Sequence, residues 1–154
     1  MTGRSAGILL YRGAGAGLEV LLVHPGGPFW AKKDEGAWSI PKGEYTEGED
    51  PLAVARREFE EELGSPPPAG DVIELGEATQ PSRKVVTAYA LAGDFDPSRL
   101  SSNLFETEWP PKSGRKQSFP EVDRAGWFAP EEAKRKILPG QLPFIDRLLG
   151  KLQR

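Results

Sequence analysis

The stretch KGEYTEGEDPLAVARREFEEELG, residues 42–64, decides the reading of the chain. Asp50 followed by Pro51 predicts a helix start: a side chain able to cap, then a residue that needs no amide hydrogen. Gly64, followed by Ser65 and three prolines, predicts the stop. At 100° per residue, Leu52, Ala55, Phe59 and Leu63 fall in one stripe about 80° wide, which is the expected core face. Glu58, Glu61 and Glu62 occupy the neighbouring sector, at the i, i+3 and i, i+4 spacings that bring side chains together. Glu60 points elsewhere, into solvent.

That placement is electrostatically awkward. Acids suit the first turn of a helix and cations the last, yet here the acids crowd the C-terminal end. A solvated face normally carries Lys or Arg four residues after Glu. Here Glu58 is followed at that spacing by Glu62, Glu61 by Ser65 and Glu62 by Pro66. Each like-charge pair costs on the order of 0.2–0.5 kcal/mol, which a folded domain tolerates. The spacing alone therefore leaves two readings open, a solvated charged face and a divalent-cation site built from carboxylate oxygens.

Around this helix the chain reads as one domain over 1–154, with no repeat or linker. Residues 5–12 and 18–24 are apolar runs joined by GAGAG and read as a hairpin. Gly13 and Gly15 do not begin a dinucleotide fingerprint, since Leu18 stands where the third glycine belongs. HPGGPFWAKKDEGAW reads as a loop, and AWSIP as a short strand leading into the helix segment. Residues 71–80 and 84–95 alternate as a strand pair. Residues 103–128 hold two short strands around a basic, proline-rich loop. A short helix begins at Pro130, and an amphipathic helix ends the chain at QLPFIDRLLGKLQR.

The composition narrows the class of function. A net charge of −3 gives no field toward nucleic acid or anionic membrane. The chain has no Cys, which excludes disulfides, thiol nucleophiles and Cys-ligated zinc, and fits a reducing compartment. No segment approaches the roughly 20 apolar residues of a membrane span. The expected location is the cytoplasm. His24, the only His, ends a strand and reads as a packing or turn residue.

The same stretch, taken with its preceding loop, resembles the Nudix box, G-x5-E-x7-R-E-U-x-E-E-x-G-U, with U a bulky apolar residue. Gly43, Glu49, Arg57, Glu58, Phe59, Glu61, Glu62 and Gly64 match, and only the final U departs, as Ser65. The resemblance implies an α+β fold, an α/β/α sandwich around a central mixed sheet, with the box helix on one face and the C-terminal helix on the other. It implies a hydrolase that cleaves a phosphoanhydride with Mg²⁺ or Mn²⁺. Glu58, Glu61 and Glu62 would be the metal ligands, helped by the carbonyl of Lys42. Glu49 and Arg57 would lock loop to helix through a forked ion pair. The base would be Glu58 or Glu121, the latter lying before Trp127, with Glu106 and Glu108 weaker competitors.

WSIPKGE and EVDRAGWF resemble the branch that handles dinucleoside and diphosphoinositol polyphosphates, although Val122 stands where diadenosine tetraphosphate hydrolases usually carry His. The expected substrate is a nucleoside polyphosphate such as diadenosine tetraphosphate. Lys32, Lys33, Arg83, Lys84, Lys112, Arg115 and Lys116 are candidate phosphate contacts, and Phe29, Trp30 and Tyr89 candidate stacking surfaces. Oxidised or ordinary nucleoside triphosphates, diphosphoinositol polyphosphates and 5′-triphosphorylated RNA are the alternatives, and the acidic composition argues against RNA. A non-catalytic nucleotide sensor fits less well, because such domains usually lose box carboxylates and this chain keeps them all. Monomer and homodimer stay open.

Overall fold

A computed structural model describes residues 3–153. Strand β1 (Arg4–Arg12) and strand β2 (Glu19–Pro25) form the expected hairpin, closed by a single 3-10 turn at Gly15–Gly17. Strand β3 (Lys42–Tyr45), helix α1 (Pro51–Leu63), strand β4 (Ile73–Thr79) and strand β5 (Val85–Ala92) follow. Then come β6 (Leu104–Glu108), β7 (Lys116–Pro120), β8 (Val122–Phe128), α2 (Pro130–Lys136) and α3 (Leu142–Leu152). The main sheet runs β4-β5-β1-β2-β8, with β3 also paired to β1, while β6 and β7 form a separate hairpin. β1 pairs parallel with β5 and antiparallel with β2 and β3, so the sheet is mixed.

The alternation of β1 explains why helices lie on both faces. Ala6, Ile8 and Leu10 point to one side, where Ala55, Phe59 and Leu63 of α1 meet them. Leu9 points to the other, where Val20, Leu22 and Trp38 pack with Phe144, Ile145 and Leu148 of α3. Period-2 strands between period-3.6 helices give this sandwich. The expected helix stripe holds, with Val54 added to its buried set and Leu52 only half-buried at its edge.

Two local expectations need correction. AWSIP is not a strand: Trp38 and Ser39 make isolated bridges to Ile137 and Val23, and the strand begins at Lys42, inside the box. The basic region carries three strands rather than two, because β7 and β8 are separate elements divided at Glu121. Asp50 does precede the helix, but its backbone carbonyl does the work, accepting from Val54 N at 3.1 Å, and its side chain makes no cap bond. Gly64 ends the helix in the left-handed region at φ 83°, where a side chain would be strained. Arg154, the last residue of the expected C-terminal helix, lies outside the described residues.

Candidate active site

The helix C-terminus that looked electrostatically exposed is covered by backbone. Ser101 N–H donates to the Leu63 carbonyl at 3.1 Å, and Asn103 N–H to the Glu61 carbonyl at 3.0 Å. These donors satisfy carbonyls that a helix end leaves unpaired. The Asn103 carbonyl in turn accepts from Glu121 N–H at 2.8 Å. Two backbone bonds therefore carry Glu121 from a distant part of the sequence to the acidic face of α1.

A polar cavity of about 430 Å³ opens there, lined by Glu58, Glu61, Glu62, Glu121, Lys42, Gly43, Glu44, Lys84, Ser5 and Asn103. A smaller one of about 160 Å³ adjoins it through Lys42, Glu62 and Glu121. Gly43 crosses the face of Glu58 so closely that a Cβ there would sit 2.1 Å from Oε1. Lys42 N–H donates to Glu62 Oε2 at 3.1 Å. Strand β3 thus fixes two of the carboxylates through its backbone, which is why the box begins with glycine.

Burial and crowding disturb the charges. Desolvation, then Glu61, pushes Glu58 above the ordinary carboxylate range. Desolvation, opposed by Lys42 and reinforced by Glu58 and Glu121, pushes Glu62 up to about 8. Burial also pushes the Lys42 ammonium down, so both members of that pair are drawn toward neutrality. Among the described residues no three acids are drawn around a single point. An all-oxygen donor set lining one water-accessible cavity suits a hard divalent ion.

Glu49 is held differently from expectation. Its Oε1 accepts from both Thr46 N–H (2.9 Å) and Thr46 Oγ1 (3.0 Å), and these bonds chiefly hold its carboxyl below the usual range. Arg57 reaches Oε2 by a single contact at 3.6 Å, so the loop is closed by a threonine turn and not by a forked ion pair.

The candidate substrate residues separate. Lys84 lines the acidic cavity, where Glu44 lies 3.4 Å from its ammonium. Arg83 is exposed in the β4–β5 turn at φ 71°. Lys32 and Lys33 are exposed, with Lys33 Nζ 5.1 Å from the Trp30 ring centre. Trp30 lines a second cavity of about 390 Å³ with Gln80, Pro81, Ser82, Leu138, Pro139 and Gly140. Lys112, Arg115 and Lys116 lie on the exposed β6–β7 hairpin, outside the linings of both cavities, as do Glu106 and Glu108. Phe29 stacks edge-on against Trp109 of that hairpin. Tyr89 is 8% exposed in the core under α1, so its ring offers no face to a ligand. Ser5 and Asn103 are cavity residues that motif reading missed, since neither residue type is distinctive alone.

The NUDIX domain family matches over residues 1–148. The chain belongs to the Nudix family. It is accordingly a Nudix pyrophosphohydrolase, of a class of enzyme that generally uses divalent metal ions. Solved structures agree in fold. A C. elegans Ap4A hydrolase binary complex is 19% identical, covering 97% of this chain and 98% of its own, with TM-score 0.64. The NUDIX domain of Shewanella oneidensis NrtR, complexed with ADP ribose, is 18% identical, covering 99% and 89%, also at 0.64. The MutT protein of Methanosarcina mazei Go1 is 18% identical over 99% and 96%, at 0.63. No curated relative matches this Nudix chain by sequence. Among the described residues no helix is long and apolar enough to cross a membrane.

Proposed function

We propose that this enzyme hydrolyses a dinucleoside polyphosphate, with diadenosine tetraphosphate as the representative substrate, asymmetrically to a nucleoside triphosphate and a nucleoside monophosphate. The reading places it in the cytoplasm. The observation that carries it is the pairing of two cavities of opposite chemistry across one turn. Lys84 lines the acidic cavity and Gln80 the apolar one, and Gln80 N–H donates to the Lys84 carbonyl at 2.8 Å. Phosphates suit the first and a planar base the second, where Trp30 and two prolines supply flat apolar walls. The fold shared with the C. elegans Ap4A hydrolase adds support.

Glu58, Glu61 and Glu62, with the Lys42 carbonyl and Glu121, would hold Mg²⁺ or Mn²⁺. When bound, the ion offsets phosphate charge and acidifies a water. The chain's own residues do the rest. Lys84 meets the phosphate chain at the mouth of the cavity. Glu121 or Glu58 takes a proton from the attacking water as its oxygen bonds to phosphorus. The bridging P–O bond breaks, and the departing phosphate keeps the electron pair. Gly43 leaves Glu58 room to stand where it does, and Thr46 holds Glu49 to keep the box loop closed.

The test is a Mg²⁺-dependent hydrolysis panel with product analysis. Its arms are diadenosine polyphosphates, ordinary and oxidised nucleoside triphosphates, diphosphoinositol polyphosphates and 5′-triphosphorylated RNA. ATP and AMP from diadenosine tetraphosphate support the reading. Preference for another arm replaces the substrate, and binding without turnover of any arm would indicate a sensor.

A further inference from the structure

His24 takes no part in the chemistry above, yet its side chain is wholly buried with both ring nitrogens engaged. Nε2 lies 2.6 Å from the carbonyl oxygen of Lys33, and Nδ1 lies 2.8 Å from Asp123 Oδ1. A carbonyl only accepts, so Nε2 carries hydrogen and donates it, while Nδ1 lies within hydrogen-bond distance of the Asp123 carboxyl. The Trp38 ring packs edge-on against the imidazole at 5.2 Å, which fixes the ring plane.

Two functional segments meet at this ring. One is the turn Trp30–Lys33, closed by Lys33 N–H donating to the Trp30 carbonyl at 3.0 Å. The other is the start of β8, where Asp123 follows Glu121 by two residues. The root of the same loop is also fixed on Glu121: Gly26 N–H donates to the Glu121 carbonyl at 2.9 Å. A Cβ at Gly26 would sit 1.9 Å from the Pro120 carbonyl oxygen, so this approach is closed to any other residue. The loop is therefore pinned at its root to Glu121 and at its far turn, through His24, to Asp123.

We propose that His24 is a positioning residue. By bridging the Lys33 carbonyl and the Asp123 carboxyl, it holds Trp30 in the wall of the apolar cavity at a fixed separation from Glu121. The contact of Trp30 with substrate rests on the proposed function; the bridge itself does not. A purely structural histidine would matter to folding only, whereas this one sets how well the turn receives a nucleoside.

Two measurements test it. In the first, ¹⁵N-histidine labelling of the full chain gives one imidazole, because the chain has one His. A protonated Nε2 whose hydrogen exchanges slowly and couples to the Lys33 carbonyl is the expected signature. A bare or rapidly exchanging Nε2 overturns the bridge. The second compares His24→Gln with wild type, on whichever panel substrate the wild type cleaves, well below the variant's melting temperature. KM is expected to rise about tenfold with kcat within about threefold, the pattern of lost ground-state binding. A folded variant with unchanged KM overturns the positioning role. Should the variant not fold, Asp123→Ala takes its place in the kinetic comparison with the same expected and overturning results, and the imidazole spectrum still reports the bridge. That spectrum needs no substrate, so a wrong substrate assignment and a wrong bridge give different results.

Discussion

Gly43 and Glu58 occupy one another's space: a Cβ on the glycine would lie 2.1 Å from the glutamate carboxyl. The relationship joins β3 to α1 at the point where the acidic cavity opens. Gly43→Ala is therefore expected to displace the Glu58 carboxylate while leaving the strand register with Ala6 intact. A displacement near 1 Å can cost roughly 100-fold in rate. Steady-state kinetics alongside circular dichroism check this, and wild-type kcat in the alanine variant would remove Gly43 from the account.

If Glu62 is a metal ligand, as proposed, metal binding is coupled to protons there. Its folded-state value of about 8 lies above the ordinary carboxylate range, so the metal-free fold holds a proton there that the unfolded chain gives up. This contribution to stability is fully present below that ordinary range and fades as pH rises through about 8. Adding Mn²⁺ near pH 7 is expected to release protons, and metal affinity is expected to climb across pH 6–8. Calorimetry in buffers of different ionisation enthalpy measures the release.

The same burial makes Glu62 a site where function and stability oppose each other. Glu62→Gln keeps an acceptor for Lys42 N–H but removes the buried charge. At pH 8, without metal, the variant is expected to be more stable than wild type by roughly 1 kcal/mol and inactive. Urea unfolding of the two proteins decides it, and a less stable variant would contradict the assignment of strain to that carboxylate.

Glu121 and Glu58 compete for the role of base. If Glu121 takes the proton, Glu121→Gln lowers kcat by about 10²–10⁴-fold with KM little changed. Substituting Glu58 would then act mainly through metal affinity. Parallel kinetics at saturating Mg²⁺ separate the two, and a larger loss in kcat for Glu58→Gln would reverse the roles.

Under the proposed function the stacking surface is Trp30, which lines a surface cavity, and not the buried Tyr89. Trp30→Ala is expected to raise KM about tenfold for a dinucleoside polyphosphate, in line with alanine substitutions at base-stacking aromatics. Inorganic tripolyphosphate, which has no base, should be unaffected by the change if it is cleaved at all. Equal effects on both substrates would place the nucleoside elsewhere.

Much of this site was legible in the sequence because it is local. Glu58, Glu61 and Glu62 share a helix face by periodicity alone, and Gly43, Glu49 and Gly64 stand at fixed spacings from them. Tyr89 and Trp30 show where local reading fails. Both are aromatics near basic residues, but one faces the core under α1 and the other a surface cavity, a choice made by strand register and loop closure. Asn103 was invisible for a related reason, since it acts through its backbone N–H and carbonyl. Arg57 does meet Glu49, but in a single contact instead of a fork, because Thr46 lies nearer in sequence and its two donors occupy the other carboxylate oxygen.

The most direct test of the central claim is single-turnover hydrolysis of diadenosine tetraphosphate by wild type and Glu62→Gln, each in Mg²⁺ and in chelator. The account expects ATP and AMP from wild type in Mg²⁺ only, with none from the variant under either condition. Undiminished turnover by Glu62→Gln, or by wild type in chelator, would show that the acidic cavity is not the hydrolytic centre.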